Sequence, residues 1–171
     1  MNVQKWDLSR LDSGDLSALR RAAGTTGSDM AALRAFYRAC GYCDPRLEAY
    51  WFPAVCMDAL WRSTDSPEVK PMEECLRLLL AQNPDTTGSL RHRIDMLLET
   101  SQSGDGFLLG KLYNLVKILK YRTNLKPDFQ ALADDLRRWN YPEQSVQRRW
   151  LRAIYNARSK DDTEEENNHA D

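Results

Sequence analysis

Histidine is almost absent from this chain: its 171 residues include only His92 and His169, against 24 lysines and arginines. A Ser or Cys nucleophile needs a base within hydrogen-bond reach, and His92, set between Arg91 and Arg93, reads as a helix-surface residue rather than that base. Also missing are a glycine-rich phosphate loop, an HExxH helix and an EF-hand loop. Cysteine is scarce. Of the four, Cys40 and Cys43 form a CxxC, but no second pair or histidine cluster completes a zinc site, and no strand leads into the motif as a redox pair requires. Buried or incidental thiols are the expectation. Glu73 and Glu74, like Asp134 and Asp135, are helix neighbours that diverge by about 100° and make a poor two-metal site. The chain is therefore expected to be a binding protein, with no enzyme activity, no cofactor and no metal. No apolar run approaches the roughly 20 residues of a membrane span, and Met1 to Arg10 lacks the hydrophobic core of a signal peptide. A cytoplasmic protein with no membrane partner is expected.

Acid is absent from one stretch in particular. Between Asp105 and Asp128 stand Lys111, Lys117, Lys120, Arg122 and Lys126 with no carboxylate among them. On a helix, Leu108, Leu109, Leu112, Leu115, Val116 and Leu119 fall on one arc of about 120°, which must be buried. Lys117 and Lys120 then point outward with Tyr113 beside them, and Lys111 lies at the edge. A polyanion would meet such a face through phosphate contacts, which need positive charge but no base-specific geometry. The formal charge of −1 conceals this, because residues 161–171 carry six acids and no Lys or Arg. Without them, 24 bases stand against 19 acids (25 less those six), about +5 for residues 1–160. The tail cannot offset the entropy of ordering itself and is expected to be a disordered, solubilising terminus.

The rest reads as helix, since β-branched residues are sparse and no stretch alternates with a period of two. No repeat marks a solenoid. After a weak opening segment over Val3 to Leu11, with Trp6 and Leu8, helices are expected over Asp15 to Ala23, with Leu16 and Leu19 inward, and over Asp29 to Cys40. For the latter, Ser28 is the N-cap, Leu33, Phe36 and Tyr37 form the packed face, and Gly41 ends it. Asp44 and Pro45 start an aromatic helix with Tyr50, Trp51, Phe52 and Trp61 as core, kinked or broken at Pro53. Residues 63–71 read as a loop. Met72 to Gln82 follows with Met72, Cys75, Leu76 and Leu79 inward. Ser89 caps Leu90 to Thr100, where Leu90, Ile94, Leu97 and Leu98 face the core and Arg91 and Arg93 face out. Pro127 and Asp128 open a helix carrying Phe129, Leu132, Ala133, Leu136 and Trp139. Pro142 opens the last, with Val146, Trp150, Leu151 and Ile154 buried and Arg148, Arg149, Arg152, Arg158 and Lys160 as a second basic face. The expected architecture is all-α, a helical bundle of about eight helices in two small packed lobes: 1–62, a connecting loop at 63–71, 72–160, and the acidic tail at 161–171.

Several phrases in order, LDSGDLSALRRA, ALRAFYRACGY, DPR, SLRHRIDMLL, LVKIL, PDFQALADDLRRW and WLRAIY, resemble the CasB small subunit of the type I-E CRISPR surveillance complex, Cascade, over nearly all of residues 9–157. The resemblance implies a non-catalytic, all-helical protein of two lobes. It implies as partners the Cascade backbone and large subunits, guide RNA and target DNA, and a second copy of the chain head to tail. The implied role is to hold the nucleic acid of the R-loop, including the displaced non-target strand, through basic residues. Carried over by position, the implied contacts are Arg20 and Arg21 from the RR element, Arg46 from PR, and Lys117 from the long helix. Where the family pattern places arginines around the turn before that helix, this chain has Glu99 and Gln102, and charge position suggests Lys111, Lys120 or Arg122 in their stead. Arg91 and Arg93 reach either nucleic acid or a neighbouring subunit. The CxxC and the acidic tail lie outside the family pattern. Two other readings stand beside this one: an assembly scaffold whose arginines pair with partner acids, and a small helix-turn-helix regulator, disfavoured because no single helix carries a compact base-reading set.

Overall fold

The computed structural model describes residues 4–25, 29–82, 87–102 and 106–156. The acidic tail, Ser28, Arg158, Lys160 and His169 lie outside the described residues. Among the described residues eight α-helices carry the fold: α1 (Ser13–Ala22), α2 (Met30–Cys40), α3 (Glu48–Asp58), α4 (Met72–Gln82), α5 (Thr87–Glu99), α6 (Phe107–Arg122), α7 (Phe129–Arg138) and α8 (Ser145–Tyr155). Among the described residues none is long and apolar enough to cross a membrane. Helix signals in the chain account for most boundaries. Asp12 and Asp15 form a reciprocal capping box at the start of α1, and Asp128 accepts from the Ala131 N–H at 3.1 Å to start α7, each satisfying N–H groups that have no partner inside the helix. Gly41, at φ +69°, closes α2.

Four expectations shift. Asp29, not Ser28, caps α2, accepting from the N–H groups of Ala31 and Ala32. Asp44 spends its carboxylate on Arg46 in a separate turn, and α3 begins only at Glu48 with no side-chain cap. The start of α5 at Thr87 puts Ser89 inside the first turn. Pro142 lies in a turn before α8, which begins at Ser145 behind Gln144, a residue held at φ +52°. Of the kink or break expected at Pro53, the break is absent: α3 runs through it unbroken. A proline inside a helix costs about 3 kcal/mol, and burying Phe52, Val55 and Met57 in the same helix, at roughly 1.5–3 kcal/mol each, outweighs it.

Residues 63–71 are not wholly loop. Glu68–Lys70 forms β1, which pairs in parallel with β2 (Leu125–Pro127), Val69 opposite Lys126. Three residues are too few for a period of two to register in the sequence. The pairing ties the segment before α4 to the end of α6, and the Asp128 N–H donates to the Lys70 carbonyl at 2.8 Å beside it.

The core is one continuous cluster whose most extensive helix pairings are α1 with α2, α3 with α7 and α4 with α8. Trp6, in an opening segment that forms only a 3-10 turn at Leu8–Arg10, is buried and donates Nε1–H to Asp58 at 2.8 Å. Phe52 and Trp61 are buried, whereas Tyr50 and Trp51 are half-buried. On α2 the buried face is Ala32, Ala35, Phe36 and Ala39. Leu33 is half-buried, and Tyr37 turns out to solvent, where its hydroxyl donates to Glu48 at 2.6 Å. Leu151 is exposed rather than buried. Arg149 leaves the expected second basic face and turns inward between Asp135 of α7 and Glu73 of α4.

Burial pushes the Cys75 thiol up to about 12, and it pushes Cys56 up as well. Both favour the protonated form in the folded chain. Stability therefore falls as pH rises above about 8.5, where the unfolded thiols begin to ionise and the folded ones do not, by about 1.4 kcal/mol per pH unit for each thiol. Urea midpoints measured between pH 8 and 9.5 should show this decline, and Cys75→Ala should make it shallower whatever it does to stability at pH 7.

Candidate functional site

The acid-poor helix α6 buries the stripe expected of it: Leu108, Leu109, Leu112, Leu115, Val116 and Leu119 all lie in the core. Its outer surface interleaves cations with rings. The Lys117 ammonium sits over Tyr113 at 4.5 Å from the ring centroid, and the Lys111 ammonium over Phe107 at 5.5 Å. Such contacts hold a lysine stem in place and leave the charge facing water.

Two contiguous grooves run between α5 and α6. One, of about 310 Å³, is lined by Arg93, Asn114, Lys117, Ile118, Tyr121 and Arg122. The other, of about 410 Å³, is lined by His92, Arg93, Met96, Lys111, Asn114 and Leu115. Arg93 and Asn114 belong to both, and neither lining contains a carboxylate. Arg93 and Arg122 are exposed and make no ion pair among the described residues.

The turn after α1 abuts α6 at Gly24, on the Tyr113 side. With φ at +82° and its would-be Cβ only 2.6 Å from Cδ1 of Tyr113, Gly24 admits a backbone approach that no side chain permits. Gly24→Ala should cost about 2 kcal/mol, from the positive φ and the clash together, measurable as a lowered urea midpoint. Three residues earlier, Arg21 is exposed and without a partner among the described residues. Its neighbour Arg20 is partly committed, donating Nε–H to the Ala59 carbonyl just past α3 at 2.6 Å.

The remaining expected residues stand elsewhere. Lys120 lies over Trp61 at 5.3 Å and pairs with Asp65 at 3.6 Å, in a side cleft next to β1. Arg46 is held by Asp44, at 2.9 Å, before the start of α3, whereas Arg20 touches the residue past its other end. A helix of 11 residues separates them by about 16 Å. The side-chain and backbone hydrogen bonds from Arg46 keep the Asp44 carboxyl below its ordinary range. Arg91 faces α8: burial first, then the hydrogen bond to Asp95, push Tyr155 up to about 12, and the charge of Arg91 acts in the opposite direction. The structure thus brings Arg93, Lys111, Lys117 and Arg122 to the α5–α6 grooves, places Arg21 near the Tyr113 side of α6 instead, and leaves Arg46, Arg91 and Lys120 elsewhere.

Sequence reasoning passed over two residues of the grooves. Tyr121 is 78% exposed, and its signal was an aromatic residue at an outward position between two bases. His92, set aside as a surface residue, lines the second groove.

The chain matches the family described as CRISPR-associated protein Cse2 over residues 15–155. Its fold is similar to that in the crystal structure of M. ruber CasB, with a TM-score of 0.66 at 18% sequence identity, covering 94% of this chain and 92% of that one. No curated protein matches it.

Proposed function

The chain belongs to the Cse2 family, the CasB small subunits of type I-E Cascade, and from that membership we propose that it holds nucleic-acid backbone and stabilises the R-loop during DNA interference. The observation that carries this reading is the pair of grooves between α5 and α6, where Arg93, Lys111, Lys117 and Arg122 gather with no carboxylate in the lining, while Arg21 adds an exposed cation on α1. A phosphate backbone is the ligand that such a surface fits, because it requires charge along a path and no fixed geometry at any one point. The strand held is the displaced non-target strand, alongside the guide–target region. Sequence discrimination is left to base pairing. The subunit sits in the cytoplasm against the Cascade backbone and large subunits, with a second copy head to tail. The reading is tested by reversing Arg21 and Lys117 together in the assembled complex and following R-loop formation.

A second reading, an assembly scaffold, has an observation of its own. On α8, Arg148, Leu151, Arg152 and Tyr155 are exposed at helical spacing, an apolar and basic strip better suited to a protein than to phosphates. The two readings describe different faces. Charge reversals on α8 should release the subunit from the complex, and reversals on α6 should leave it bound.

A further inference from the structure

We propose that Tyr121 stacks on an unpaired base of the strand, so that this face selects single-stranded over duplex nucleic acid; the proposal rests on the phosphate-binding reading above. Among the described residues most other large rings are engaged, Tyr42 and Tyr141 excepted. Trp6, Trp61, Trp139 and Trp150 are buried. The Tyr113 ring carries Lys117 and meets Gly24, and the hydroxyls of Tyr37 and Tyr155 donate to Glu48 and Asp95. Tyr121 is 78% exposed and makes no side-chain hydrogen bond or ring contact among the described residues.

Its surroundings indicate what the ring is for. It borders the groove of about 310 Å³ with Ile118 as an apolar neighbour and with Lys117, Arg93 and Arg122 around it. A ligand there must satisfy several cations and one apolar face within a few ångströms. A nucleotide of an unpaired strand does both, with phosphate on the cations and a base on the ring. A duplex offers the phosphates alone, its bases being already stacked. Base–aromatic stacking tolerates any base, since each has a π-face, so the site adds strand selectivity without sequence preference.

The test compares two ligands with identical phosphates: a mixed-sequence single strand of about 16 nucleotides, and the same strand with abasic positions throughout. The full chain should bind the intact strand about 5- to 20-fold more tightly. Tyr121→Leu should reduce that preference to less than about twofold with no change in the salt slope, because no phosphate contact is lost. Tyr121→Phe should keep the preference, as should Tyr42→Leu, a control at a ring 80% exposed on the turn after α2. Equal affinity of the unaltered chain for both strands overturns the proposal, and so does a preference that survives Tyr121→Leu. Failure of the phosphate reading looks different: Arg21→Glu with Lys117→Glu would leave both strands bound as tightly as before. Absence of binding to either strand overturns both.

Discussion

Arg21→Glu combined with Lys117→Glu should lower the stability of the R-loop in the assembled complex on the order of 10²-fold at 0.15 M salt, with the subunit still folded and still bound. For a single strand each phosphate contact contributes a slope of about −0.7 in log K against log salt, which at 0.15 M is about fourfold in affinity. A reversal removes one favourable contact and adds a comparable repulsion, so two reversals act like about four contacts. At 0.5 M the same contacts count for about 1.6-fold each, and the deficit should shrink to below about tenfold. Five phosphate contacts per copy predict a slope of about −3.5, and the two reversals, acting like about four contacts, bring it to about −0.7. Arg46→Glu, whose guanidinium already has Asp44 and stands before the other end of α3, should change R-loop stability by less than about threefold. The measurement is R-loop lifetime across a salt series, with co-purification of the subunit and its circular dichroism as controls. An unchanged lifetime in the double variant removes the basis for the phosphate-binding role, and loss of the subunit from the complex favours the scaffold reading instead.

How much of this face the sequence discloses depends on the distance over which each feature is encoded. The buried stripe of α6 and the apolar set of α7 are local periodicities, and every residue expected inside them is inside. The outward charge of Lys111 and Lys117 follows from the same geometry. The engagement of Lys120 by Asp65 does not, because Asp65 is 55 positions away and reaches α6 only through the β1–β2 pairing. Likewise Arg20 and Arg21 are adjacent in the chain, yet one is tied to the carbonyl of Ala59 and the other is free. A helical turn of 100° decides between them, and where α3 packs against α1 is a tertiary fact.

Aromatic residues mislead in a consistent way. A ring among aliphatic residues reads as core, which holds for Phe52 and Trp61 and fails for Tyr37, whose hydroxyl finds Glu48 at the surface. Tyrosine carries a polar tip and is at home half in water. Its burial is set by the neighbouring element rather than by its own position in a pattern. Tyr121 shows the converse, an outward aromatic residue that no periodicity argument marks as useful.

The largest stability effect should come from a charge cluster that sequence spacing placed on the surface. Asp135, buried on α7, accepts from the Arg149 guanidinium of α8 at 2.5 Å and from the Trp150 Nε1–H at 3.1 Å, while Arg149 Nε also lies 3.3 Å from Glu73 of α4. Burial opposes the Arg149 charge, but the bond with Asp135 and the two carboxylates hold it above its ordinary value. Three helices meet on this one guanidinium. Asp135→Ala leaves an Arg149 side chain that is 43% exposed and still faces Glu73, so solvent screening limits the cost to about 1–3 kcal/mol. Arg149→Ala, by contrast, strands the buried Asp135 carboxylate and should cost about 3–5 kcal/mol. For a chain of this size, the latter is a fall in Tm of about 6–20 °C. Asp135→Ala with Arg149→Ala removes both charges, leaving the Trp150 N–H and Glu73 without their partners, at about 1–3 kcal/mol for such groups. The double variant should therefore lose less than the two single variants summed, by about 2 kcal/mol or more. Thermal or urea denaturation of the four chains decides the matter: strict additivity would mean that Asp135 and Arg149 act independently, and that packing, not the shared charge cluster, joins α4, α7 and α8.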